Sequence, residues 1–188
     1  MLIAYTFFNE LLGVLVRTYP NFSFFNDLEY SYVNDIIYNI YSIVFFGYFY
    51  MVYYKLASSQ QHKKWIKRLS GIVLLTYLGS CFFQNPLDTN LFYAHAVASW
   101  VLLILIYLYF KSKKSEVDSP KNKHNLMFWV SVGLFSFYLV FPFLFIIGYL
   151  RFDLWEKFHL RALLRIFILI MYCLFCTGFV MGRRRAFG

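Results

Sequence analysis

Acidic side chains are scarce in this sequence: nine Asp and Glu among 188 residues, against 18 Lys and Arg. No paired carboxylates stand ready for general acid–base work, and there is no HEXXH, no GXSXG and no glycine-rich phosphate loop. Proline is equally sparse, at four residues. Only Pro142 interrupts an apolar segment, and no symmetric pair of broken helices marks a transport site at mid-membrane depth. The three cysteines build no framework, because Cys81 falls at the opposite end of its segment from the level of Cys173 and Cys176. That last pair has CxxC spacing but is flanked by Leu, Phe and Met, so it is expected to fill core rather than to serve as an accessible dithiol. No lysine lies in the interior of an apolar segment, which excludes a retinal-type Schiff base. Charge as a whole is low, 14% of residues, while 61% are hydrophobic and 24% aromatic, with 24 Phe and 17 Tyr. That mix belongs to a multispanning membrane protein rather than a soluble domain. The frequent Asn, Lys, Ile and Tyr fit an A/T-rich bacterial genome.

Six apolar segments meet the requirement of about 20 residues per helical crossing: 2–19, 33–54, 66–84, 90–110, 126–149 and 158–181. The expectation is an all-α polytopic bundle of about six spanning helices forming a single domain over 1–188. Met1 leads directly into apolar sequence with no basic n-region and no small-residue cleavage site after it, so the first segment reads as a membrane helix and not a signal peptide. The stretch KSKKSEVDSPKNKH (111–124) is the most loop-like, its charges and Pro120 marking a solvated linker.

The net charge of +9 does not point to nucleic acid, because the basic residues fall in short runs between apolar segments. Lys55, Lys63, Lys64, Lys67 and Arg68 follow the second segment, five lysines occupy 111–124, and Arg183, Arg184 and Arg185 close the chain. The excess of Lys and Arg in cytoplasmic loops puts these runs inside the cell and both termini in the cytoplasm of a bacterial inner-membrane protein. Asp27, Glu29, Asp88, Asp153 and Glu156 then lie outside. Trp65, Trp129 and Trp155 fall at segment ends, where the indole N–H meets the headgroups. Asn21-Phe22-Ser23 fits a glycosylation sequon, relevant only in a eukaryotic secretory pathway. The lipid bilayer is the first partner, and anionic lipid or a cytoplasmic protein is expected at the basic loops.

Charges inside the segments cost about 2.5 to 3.5 kcal/mol at mid-bilayer on insertion scales, and they usually face protein or water and find a partner. Arg161 and Arg165 are four apart and share a helical face, with His159 beside them. Glu10, the only acid in the middle of a segment, is the expected partner of Arg165, and Asp35 that of Arg161. Asp35, Asn39 and Ser42 recur on one face of the second segment, Tyr77, Ser80 and Gln84 on the third, and His95 and Ser99 on the fourth. The expected candidate site is a polar pocket in the outer half of the bundle, with Arg161, Arg165, Glu10, Asp35, Asn39, His95 and His159 as ligand-binding residues. The alternative is plain helix-to-helix hydrogen bonding at about 0.6 kcal/mol per contact. His95 and His159 on two helices also have the makings of a bis-histidine haem site, but lone histidines near an interface more often form hydrogen bonds, and no cofactor and no metal are expected.

Three stretches, YNIYSIVFFGYF (38–49), HNLMFWVSVGLFSFYL (124–139) and FHLRALLRIFILIMYCLFCTGF (158–179), resemble a family of small multispanning integral membrane proteins of Bacteroidota-type bacteria, mostly uncharacterised. An acid that often follows the NIY motif in that family is absent here, where Ser42-Ile43-Val44-Phe45 stands. The resemblance implies the membrane bundle and no established activity. Similar size and helix number occur in a multispanning accessory protein of some CRISPR loci. Two functional classes follow: a non-enzymatic sensor or regulatory module with an outer pocket for a small anionic ligand, or an oligomeric transporter or pore, with a defence-linked role attached to the second.

Overall fold

A computed structural model of the chain describes residues 2–19, 35–87, 89–115 and 125–182. Among them are seven α-helices and no β-strand: α1 (Leu2–Thr18), α2 (Asp35–Leu56), α3 (Gln60–Ser80), α4 (Phe92–Ser115), α5 (Leu126–Leu150), α6 (Phe152–Lys157) and α7 (Leu160–Met181). Helix is what an apolar environment imposes, because only a helix or a closed barrel satisfies every backbone N–H and C=O without water. The starts follow capping chemistry. Ser59 accepts from the Gln61 N–H at 3.2 Å to begin α3, and Asn125 accepts from the Met127 N–H at 2.9 Å to begin α5. At the α6–α7 corner His159 adopts a left-handed backbone with φ 49° and ψ 40°, which separates the two helices. That conformation is sterically costly for a side chain, though histidine tolerates it better than most.

The helices α2, α3 and α4 pack on one another, α5 packs on α4, and α7 packs on α5; α1 leans on α2, and α6 fills the corner between α5 and α7. The core lies where α2, α4 and α5 meet, and Leu102, Leu105, Ile106 and Leu134 are wholly enclosed there. Buried phenols in this core reach across helices. Tyr50 donates to the Ala98 carbonyl at 2.7 Å, and the Tyr53 hydroxyl lies 2.9 Å from Ser131 Oγ. Where α5 meets α7 the contact is made by glycine. A Cβ on Gly178 would stand 2.8 Å from Trp129 Cβ, and one on Gly133 would stand 2.9 Å from the Phe175 ring. Small residues let helix backbones approach this closely, and dispersion then holds them.

Among the described residues four helices, not six, are long and apolar enough to cross a bilayer: α2, α4 over Phe92–Lys113, α5 and α7. The shortfall has two causes. The apolar part of α1 covers only Tyr5–Val16, and its full 17 residues measure about 25 Å against a hydrocarbon core of about 30 Å. The first half of α3 carries Lys63, Lys64, Lys67 and Arg68, which dilute its apolar character. Nor does a linker begin at 111, since α4 continues through Ser115. Asn21 to Ser23, Asp27, Glu29, Asp88, the lysines of 116–124 and Arg183 to Arg185 lie outside the described residues.

Candidate functional site

Two clusters of the expected polar residues exist, and they are separate. The first ties the start of α2 to the connection between α3 and α4. Asn39 donates to the carbonyls of Pro86 at 2.9 Å and Thr89 at 3.0 Å, and its own carbonyl accepts from the Leu91 N–H at 3.0 Å. One turn earlier, Asp35 accepts from the Asn90 side chain. One turn later, Ser42 Oγ lies 2.5 Å from His95 Nε2, while His95 Nδ1 meets the Leu91 carbonyl at 2.8 Å. Ser99 donates back to the His95 carbonyl at 2.7 Å. The rings of Tyr77 and Phe145 flank the imidazole at 5.7 and 5.5 Å. Asn39, Ser42, His95 and Ser99 are all buried. The i, i+4, i+7 stripe on α2 thus holds the α3–α4 turn, and its hydrogen-bonding capacity is spent on protein.

The second cluster lies at the α6–α7 corner. Trp155, Glu156, His159, Arg161, Ala162 and Arg165 line an open pocket of about 470 Å³. The spacing of Arg161 and Arg165 puts both on one face of α7, and the left-handed turn at His159 folds α6 back beside that face. Trp155 is braced from behind, since its ring would stand 3.1 Å from a Cβ on Gly148 of α5. Both arginines and His159 are exposed, and among the described residues neither guanidinium has a hydrogen bond or ion pair. Two unpaired guanidiniums, five donors each in a rigid fork, suit a carboxylate or a phosphate.

The single pocket expected from the sequence is therefore divided. Among the described residues α7 packs chiefly on α5 and α6, and Arg161 and Arg165 face the α6–α7 corner and form no ion pair with Asp35 or Glu10. Glu10 is exposed and instead accepts weakly from the Tyr38 hydroxyl at 3.4 Å. Expected depth alone did not pair these residues, because the azimuth of α7 turns its arginines toward α6. His95 and His159 are parted for the same reason, one inside the α2–α4 network and the other on the α6–α7 corner. The cysteines also differ from expectation: Cys173 and Cys176 are exposed on α7 rather than packed in the core. Three contributors were not singled out beforehand. Asn90 closes the network from the turn, Glu156 supplies a carboxylate to the arginine pocket, and Asn9 is buried with its amide nitrogen unpartnered. The polar Asn9-Glu10 pair within an apolar run was the visible signal for the last.

The fold and these clusters define the class: an all-α bundle built around helices able to cross a bilayer. Comparison with protein-family models, with curated proteins and with solved structures returned no match.

Proposed function

We propose that this chain is a non-enzymatic membrane module that senses or regulates by binding a small anion at the α6–α7 corner. The observation that carries this reading is the pair Arg161 and Arg165, one helical turn apart, unpaired, and facing a pocket of about 470 Å³. Two guanidiniums without a carboxylate partner are costly as mere packing and well suited to an oxyanion. Trp155 and His159 frame the same pocket, and Trp155 rests on α5 at Gly148. An anion that draws the arginines and His159 together would press α6 against α5, and that is a physical route from occupancy to the bundle.

Titration of the purified protein in an uncharged detergent with inorganic phosphate, followed calorimetrically, tests this. Saturable binding that falls at least about tenfold in Arg161→Gln/Arg165→Gln supports the proposal. Binding unchanged by the double replacement overturns it. Repeating the titration in nanodiscs of phosphatidylglycerol separates the two sources of phosphate: a lipid headgroup already in the pocket abolishes the phosphate response there, and a soluble ligand leaves it intact.

A further inference from the structure

A second site lies between α2 and α3, apart from the arginine pocket and independent of it. A groove of about 450 Å³ runs between these helices, walled by Phe46, Met51, Val73 and Leu74 and open to the side. Its volume is within the range of small-molecule and cofactor sites. At one end stand two cations: Lys67 Nζ lies 5.3 Å and Lys63 Nζ 5.7 Å from the ring centre of Tyr54. At the deep end is Tyr77, only 5% exposed, whose hydroxyl is buried with no hydrogen-bond partner. From Lys67 to Tyr77 the helix rises about 15 Å, half the hydrocarbon thickness and so the depth of one leaflet. Gly47 leaves the groove open, since a Cβ placed there meets no atom within 4 Å.

We propose that this groove binds one molecule of an anionic phospholipid, its phosphate held by Lys63 and Lys67 and one acyl chain laid along the groove toward Tyr77. Charge complementarity selects the occupant. The mouth is cationic, the walls are apolar, and the opening faces where the bilayer would be. Lysine suits the role, because its flexible stem carries the ammonium up to the phosphate while the methylenes stay against Tyr54. This differs from diffuse attraction of basic loops to a charged surface, which needs no cavity and would not respond to a plug.

Native mass spectrometry from nanodiscs of equimolar dioleoyl phosphatidylglycerol and dioleoyl phosphatidylcholine tests it. The expected result is one retained phosphatidylglycerol per chain. Gly47→Leu, which fills the groove, should remove that adduct, while Gly71→Leu, which also adds a side chain into open space but lies off the groove, should keep it. Lys63→Gln/Lys67→Gln should reduce retention about 30-fold, at about 1 kcal/mol for each lysine near the phosphate, without touching the packing. Equal retention of both lipids, or an adduct that survives both the plug and the lysine replacement, overturns the proposal. So does a dimer mass that Gly47→Leu abolishes, which would make the groove a face for a second copy.

Discussion

The imidazole of His95 and the hydroxyl of Ser42 join α4 to α2 across the buried core, with Nε2 2.5 Å from Oγ. A neutral ring that donates from Nδ1 to the Leu91 carbonyl has Nε2 free to accept, and Ser42 is its donor. The Tyr38 carbonyl lies 2.7 Å from the same hydroxyl, so one proton has two acceptors in reach. Ser42→Ala should cost about 1–3 kcal/mol by leaving Nε2 buried and unmet. Adding His95→Leu should cost less than the sum of the single replacements. Denaturant titration of all three variants in detergent reads the coupling, and strict additivity would show that the contact does not matter.

Asn39 should be the most sensitive polar residue of α2. Its side chain makes three hydrogen bonds to the α3–α4 turn, and removing it leaves two carbonyls and an N–H to find other partners. Asn39→Leu is expected to destabilise by about 2–4 kcal/mol and to raise hydrogen exchange at Thr89 to Leu91. Unchanged exchange at those amides would show that the turn is held by something else.

For Glu10 and Arg165 the expected result is independence. Glu10 meets the Tyr38 hydroxyl and Arg165 faces the α6–α7 corner, and groups without shared partners show additive effects to within about 0.5 kcal/mol. Glu10→Gln and Arg165→Met should each lower stability little, and the double variant should equal their sum. A coupling above about 1 kcal/mol in the double-mutant cycle would place them together after all.

Replacing Gly178 should loosen α7 from α5. The glycine is the one buried residue of the helix among those described, and any larger residue collides with Trp129. Gly178→Val should lower the thermal midpoint by an amount equivalent to about 1–3 kcal/mol of overpacking. Gly71→Val, with open space around it, serves as the matched control, and equal losses in the two would refute the close approach of α5 and α7.

Much of the fold was legible as one-dimensional pattern. The long helices α2, α4, α5 and α7 begin and end near the expected boundaries, α3 begins six residues earlier at Gln60, and Asp35, Asn39 and Ser42 do share one face, which hydrogen-bonds the α3–α4 connection and His95. The six-residue α6 was missed because Phe152–Lys157 is too short to carry a period. The exposure of Cys173 and Cys176 was missed because a helix that is apolar all round does not reveal which side meets protein.

The sequence by itself determined an all-α bundle with helices able to cross a bilayer and the position of each polar residue along its helix, because run length and helical rise are local quantities that no neighbour alters. Tertiary structure alone decided who meets whom. Asp35 and Arg161 were expected to pair, yet Asp35 is bound to Asn90 on the α3–α4 turn, and Arg161 faces the α6 corner. The order of packing, α1 on α2, α4 on α5 and α5 on α7, sets the azimuth of each helix, and azimuth is a property of pairs of surfaces that a single helical pattern does not contain. For that reason the single expected pocket became two clusters, a sealed network that holds a turn and an open pair of arginines at the α6–α7 corner.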